Sequence, residues 1–369
     1  MGVLNDLASR GQAVWLDFVD RKFLAQGGLQ KLVDQDGLTG VTSNPSIFEK
    51  AMGHGDAYDA ALAEFDKANP DASTMARYEH LAIQDIQTAA DTLRPVYDRL
   101  NAKDGYVSLE VSPYLAHDTD ATIAEAAKLW AEVDRPNLMI KIPGTPAGVP
   151  AIAATIDAGI NVNVTLLFSI EAYKAVALAY TEGLEKRAAR GEPIDRIASV
   201  ASFFVSRIDS KIDDKIDAGV GGDAAKTLKG KVAIANAKMA YAWYEEFITT
   251  DRWRTLAAKG AQVQRLLWAS TGTKNADYPD TLYLDTLIGK DTVNTVPPKT
   301  MDAFRDHGTV GDTLGANVDE ARKVMADQAA LGLDLNDVTD TLVEEGVASF
   351  SKAFDDLLGA IAAKHPVIA

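Results

Sequence analysis

The sequence predicts a closed, eight-stranded parallel α/β barrel with extra helices. Three observations carry that expectation. Eight short apolar runs recur along the chain, with amphipathic stretches between them. Most runs are continuously apolar or β-branched rather than alternating, as in parallel strands covered on both faces. The length, 369 residues, is large for an ordinary domain but normal for a barrel of this kind with additions. An open doubly wound sheet has the same alternation. No Gly-x-Gly-x-x-Gly follows an early strand, which weighs against it.

The strands are expected at residues 13–18, 40–44, 106–111, 138–143, 161–165, 199–205, 265–270 and 292–296. Between the third and fourth, residues 121–133 read as a helix opened by Thr122 with Glu125 three positions on, a capping box. Residues 170–190 read as another helix, ended by Gly191 and Pro193. Two stretches exceed what a barrel needs. One is a helical insertion around 207–260, broken at 219–222; the other is a helical tail over 300–369, including a helix over 343–363. No repeat, low-complexity tract or Pro-rich linker divides the chain, so residues 1–369 are expected to form a single TIM-barrel domain.

Composition narrows the function. Hydrophobic residues make up 47%, enough for a large core. The 37 basic and 53 acidic residues leave a net charge of −16, which disfavours nucleic acid and anionic membranes as partners. It still allows a phosphate wherever a few cations converge. There is no cysteine, hence no disulfide, thiolate nucleophile or Cys-based zinc site. His54, His80, His117, His307 and His365 show no metal-ligand spacing, and no P-loop motif occurs. No apolar run approaches the roughly 20 residues of a membrane span. Residues 1–10, with Asn5, Asp6 and Arg10, lack the apolar core of a signal peptide. A soluble cytoplasmic protein that binds no metal is the expectation.

In a barrel of this type catalytic groups sit at the C-terminal ends of strands. Asp17, Asn44, Glu110, Lys141, Asn163 with Thr165, Ser202 and Ser270 fall there. Lys141 is the most informative, because it interrupts Leu138-Met139-Ile140-Lys141-Ile142-Pro143. A lysine in a buried strand must lose its charge or find a partner, and desolvation favours the nucleophilic amine. The bland alternative is a snorkelling or ion-paired lysine on an edge strand. Asp17 follows Val14-Trp15-Leu16 on the first strand and Glu110 follows Val107-Ser108-Leu109 on the third. Each could be a carboxylate paired with a neighbouring cation or a solvated strand end. With Lys141 they form an amine and two carboxylates at one mouth, a set suited to imine chemistry and its repeated proton transfers. Asn44 precedes Pro45, an ordinary turn signal. Asn163 and Thr165 alternate with Val162 and Val164, which places both polar side chains on one face.

Three segments together resemble the transaldolase family, in its longer bacterial form. They are Gly40-Val41-Thr42-Ser43-Asn44-Pro45-Ser46, Ile140-Lys141-Ile142-Pro143 and Ile160-Asn161-Val162-Asn163-Val164-Thr165-Leu166-Leu167-Phe168-Ser169. The resemblance runs from about Val14 to about Lys299 and on towards the end of the chain. It implies a transferase that moves a three-carbon ketol unit between sugar phosphates, without a cofactor, as a monomer or homodimer. The close alternative is a fructose-6-phosphate aldolase-type lyase, and a non-enzymatic sugar-phosphate-binding barrel is a more distant one. In the roles so implied, Lys141 forms the Schiff base and Asp17 is the acid/base at the carbon–carbon bond. Glu110 and Thr165 hold the water of imine formation and hydrolysis, while Asn44 and Asn163 bond the ketol hydroxyls. Ser202 touches the substrate and Arg207 grips its phosphate. The shorter transaldolases end their seventh-strand phosphate motif in Ser-x-Arg. Here it reads Ala269-Ser270-Thr271-Gly272-Thr273-Lys274, so Ser270 and Lys274 take the phosphate role.

Overall fold

The computed structural model describes residues 2–364. Met1 and residues 365–369, with His365 and the end of the expected tail, lie outside the described residues. Eight parallel strands close into a barrel in chain order. They are β1 (Gln12–Leu16), β2 (Gly40–Val41), β3 (Tyr106–Glu110), β4 (Leu138–Pro143), β5 (Val162–Leu167), β6 (Ser199–Phe204), β7 (Arg265–Ala269) and β8 (Thr292–Val296). The first strand pairs with the last, from Gln12 opposite Thr292 to Leu16 opposite Val296, so no edge is left unpaired. The apolar runs found their strands because helices and barrel interior cover both faces.

The lower interior of the barrel is held by a buried polar knot. Asp104, just before β3, accepts hydrogen bonds from Trp15 Nε1 (2.9 Å), Thr39 Oγ1 (2.9 Å) and Arg265 Nη1 (3.0 Å). The Arg265 guanidinium also lies 5.8 Å over the Trp15 ring. Gly40 is required beside this knot, since a Cβ there would stand 2.4 Å from the Trp15 indole. Removing one partner of a buried ion pair strands the other charge. Asp104→Ala should therefore lower stability by about 3 to 5 kcal/mol, read from urea unfolding. A change within experimental error would show that the pair is not stabilising.

The ends of several elements differ from expectation. β2 has only two residues because Thr42, Ser43 and Asn44 turn their polar groups to other tasks, described below. β5 continues to Leu167. The helix after β3 spans Thr119–Val133 and is capped by Asp118, whose side chain accepts from Ala121 N. Thr122 is not its cap: its hydroxyl donates to Leu115 O, and Glu125 accepts from Ser112 N. The helix after β5, Ile170–Ala189, is capped by Ser169. The insertion is helical over Ser206–Asp217 and Val232–Phe247, with Gly219, Gly221 and Gly222 at positive φ in the expected break.

The tail supplies a 30-residue helix, Leu335–Lys364, hereafter the closing helix. It packs on the helix Pro45–Gly53 and reaches β5. Gly346 lets it approach, since a Cβ there would stand 2.8 Å from Leu166 Cδ2. Lys211 of the insertion ties it down by a 2.6 Å ion pair to Glu345.

Candidate active site

Each strand end delivers one group to the barrel mouth. Asp17 follows β1 and is still anchored to β8, its N–H donating to Val296 O at 3.0 Å. The Thr42 hydroxyl donates to Asp17 Oδ1 at 2.8 Å and lies 2.7 Å from Thr295 Oγ1. On β3 and β4, Glu110 and Lys141 are direct register partners. Their side chains are 4% and 5% exposed, with Nζ 3.5 Å from Glu110 Oε2. That is an ion pair too long for a good hydrogen bond. Lys141 Nζ instead donates to Ser43 O at 3.1 Å, and Ser43 Oγ donates to Ser108 O at 2.7 Å. β5 carries a register irregularity between Val164 and Leu167, with Leu166 at φ +58°. Bulges of this sort re-aim side chains at strand ends. Thr165 beside it is fully buried, and its Oγ1 has no hydrogen-bond partner.

Above these groups opens a cavity of about 390 Å³, the size of an ordinary small-molecule site. Asp17, Asn44, Lys141, Ser202, Ser270 and Arg207 line it. Phe350 of the closing helix covers Lys141, with Nζ 6.0 Å from the ring centre. Besides Lys141, three basic side chains lie on its wall: Arg207, Lys274 and Lys50. Among the described residues no salt bridge engages any of them. Arg207 stacks 5.3 Å over Phe204. The neighbouring acids Asp209 and Asp213 are turned elsewhere, to Ala233 N and Tyr283 OH and to Tyr278 OH respectively. Ser270 sits at φ +56°, a conformation rare for serine, next to Ser206 Oγ at 3.0 Å. The wall therefore offers unneutralised positive charge at one place in a protein of net charge −16.

The sequence profile of the transaldolase/fructose-6-phosphate aldolase family matches residues 14–361. The chain belongs to that family. Curated relatives agree over almost its whole length. A transaldolase of Trichodesmium erythraeum is 47% identical, covering 98% of this chain and 97% of its own. One of Parafrankia sp. is 49% identical, covering 97% and 96%, and one of Thermobifida fusca 48%, covering 97% of each.

Burial dominates the electrostatics of this transaldolase-family site. It pushes the Glu110 carboxyl up to about 7; Lys141 opposes the shift and Asp17 adds to it. Burial also raises Asp17, against Lys141, the Thr42 hydroxyl, Lys274 and Arg207. Asp17 is half-buried and lines the cavity. Arg207 and Lys274 are both lowered by burial, and Arg207 lowers Lys274 further. One carboxyl near neutrality beside an amine, and a second carboxyl on the cavity wall, can trade protons in opposite senses.

The structure brings all but three of the expected site residues to the main cavity wall. Glu110, paired with Lys141, and Thr165, opposite Pro143 on the neighbouring strand, are buried and do not line the cavity. Asn163 lies beneath: its Nδ2 donates to Ser108 Oγ (2.9 Å) and its Oδ1 accepts from Ser202 Oγ (2.7 Å). In this geometry Asn163 holds Ser202 rather than facing the cavity. Asn44 caps the helix Pro45–Gly53 through Oδ1, accepting from Ile47 N, which leaves its Nδ2 donors for a ligand. Sequence reasoning missed Thr42, Lys50 and Phe350. Thr42 stands within a motif already noted, which was the available signal; Lys50 and Phe350 gave none. Among the described residues, no group of three or more His, Asp or Glu side chains could hold a metal ion. Nor is any helix there long and apolar enough to cross a membrane.

Proposed function

We propose that the chain is a transaldolase that carries a dihydroxyacetone unit on Lys141. The observation that carries this reading is the Lys141 amine, buried against Glu110 on the floor of a cavity whose wall holds Arg207, Lys274 and Lys50 unpaired. Lys141 attacks the ketose carbonyl of fructose 6-phosphate or sedoheptulose 7-phosphate. Glu110 and Thr165 hold the water that leaves. Asp17 takes the C4 hydroxyl proton, the C3–C4 bond breaks, and the aldose phosphate departs. The iminium accepts the electron pair, so the step asks for no cofactor. The enamine then adds to glyceraldehyde 3-phosphate or erythrose 4-phosphate, and hydrolysis frees the product. Asn44 and Asn163 serve the ketol hydroxyls, Asn163 after its amide exchanges a partner, and Ser202 touches the bound substrate. In this reading the enzyme belongs to the non-oxidative pentose phosphate pathway of carbohydrate metabolism. It works in the cytoplasm as a monomer or homodimer, and nucleic acid and membranes are not its partners.

Borohydride with fructose 6-phosphate should add one reduced ketol unit to Lys141 alone, seen by peptide mass spectrometry. An adduct on another lysine, or none, sinks the mechanism. Transfer to erythrose 4-phosphate should outpace release of free dihydroxyacetone; the reverse identifies an aldolase-type lyase with the same residues.

Arg207, Ser270 and Lys274 bind the phosphate in this reading. Arg207→Ala should cost roughly 1.5 to 3 kcal/mol of binding, a ten- to hundredfold rise in KM for phosphorylated donors. Unphosphorylated fructose and dihydroxyacetone should be little affected. Equal KM changes for both kinds of substrate reject the phosphate role.

A further inference from the structure

A second, much smaller cavity adjoins Glu110. It lies between β3 and the helices Thr74–Arg99, Thr119–Val133, Pro45–Gly53 and Leu335–Lys364, and measures about 20 Å³. That is room for a water molecule. Glu110, Ser112, Tyr78, Glu79 and Glu125 supply its polar wall. Glu110 Oε1 and Ser112 Oγ are buried with no hydrogen-bond partner, and Glu110 Oε2 has only the 3.5 Å ion pair to Lys141. Such orphan atoms are uncommon in native structures and mark places where a polar group or water belongs. Glu125 accepts from Ser112 N at 3.1 Å and is half-buried, so its carboxyl joins this cavity to the outside.

The need for such a route follows from the main cavity. When Lys141 carries a ketol unit, the substrate and Phe350 stand over it. The water released in imine formation, and the proton that dehydration consumes, would then have to pass the bound substrate to use the mouth. We infer that Glu125 and Ser112 serve Glu110 as a proton and water relay through the small cavity, on the opposite side from the substrate. This rests on the Schiff-base reading above. In dehydration, protonated Glu110 gives its proton to the departing carbinolamine hydroxyl, which leaves as water. The C–O bond breaks, the C=N bond forms, and Glu110 is left as carboxylate. The Glu125 carboxyl restores that proton through a water bonded to the Ser112 hydroxyl. Hydrolysis runs the same steps backwards, so a full cycle consumes no proton.

The surroundings suit the task. Burial raises the Glu125 carboxyl, Ser112 N and Lys128 oppose the shift, and Glu79 adds to it. Glu79 itself is paired with Lys128 at 2.7 Å. The wall residues from the Pro45–Gly53 and closing helices, such as Phe48 and Phe354, carry no charge. Glu125 touches no substrate and acts only through Glu110; it is a positioning residue.

The test is single-turnover imine formation on fructose 6-phosphate, quenched into borohydride and followed by mass on the Lys141 peptide. Glu125→Gln keeps an acceptor for Ser112 N. It should slow imine formation roughly tenfold at unchanged KM and enlarge the solvent deuterium isotope effect, with Glu125→Asp recovering part of the rate. Ser112→Ala should act in the same direction. If wild type forms the adduct and both variants match its rate and isotope effect, the relay is wrong and the Schiff base stands. A raised KM with lower thermal stability and no rescue by aspartate shows a structural role and also overturns the relay. Absence of the adduct in wild type overturns the proposed function itself.

Discussion

Lys141→Met should leave a folded barrel with no borohydride-trappable adduct and transfer activity reduced on the order of 10⁴-fold or more. Methionine keeps the length and apolar stem of lysine, so the buried strand Leu138–Pro143 need not rearrange. The substitution also removes the ammonium that holds the Glu110 carboxyl down. Glu110 should then titrate above its present value of about 7. The folded protein holds this proton more tightly than the unfolded chain, where a carboxyl titrates near 4.5. The group's contribution is therefore full below the unfolded value and is lost as pH rises through the folded one. The variant should lose more stability than wild type between mildly acidic and alkaline pH, which urea unfolding at both would reveal. Retained transfer would remove Lys141 from the mechanism. An unchanged pH dependence of stability would mean that its charge does not act on Glu110.

Asp17→Asn should separate the two halves of the reaction. Asparagine can still accept from Thr42, so the mouth keeps its shape. Imine formation uses Lys141 and Glu110 and should proceed. Cleavage needs a base for the C4 hydroxyl, and its loss should slow turnover by about 10² to 10⁴. The expected signature is an adduct that accumulates on Lys141 while aldose phosphate appears slowly. Turnover at the wild-type rate would make Asp17 a structural residue. If the adduct failed to form, Asp17 would belong to the imine step, acting on Lys141, the cation that most stabilises its carboxylate.

Much of this arrangement is legible in the sequence because burial on both faces is a strong constraint. A strand enclosed on each side reads as one apolar run, and a lysine inside such a run, as at Leu138–Pro143, stands out at once. What alternation reveals is a face, not a depth. Alternation puts Asn163 and Thr165 on one face, and Asn163 does point inward to Ser108 and Ser202, yet it lies one layer too low to meet the cavity directly. Phe350 was illegible for a different reason: on an amphipathic helix, a residue covering an active site looks like one covering a core. Lys50 is one cation among the 37 basic residues, and only the fold tells which of them stay unpaired. The Thr122 cap failed because Asp118, four residues earlier, is an equally good cap, and local sequence does not say where the turn begins.

The closing of the ring by β8 on β1 joins segments made far apart in time. A ribosome releases Gln12–Leu16 early and Thr292–Val296 late, and the helix bearing Phe350 later still. Pairings so distant in sequence are slow to form and leave intermediates with open strand edges. During synthesis, then, Lys141 exists for most of the time without the closing helix whose Phe350 covers it. If Lys141 forms the proposed Schiff base, that chemistry waits until assembly is finished, and an interrupted or half-folded product would not capture sugar phosphates.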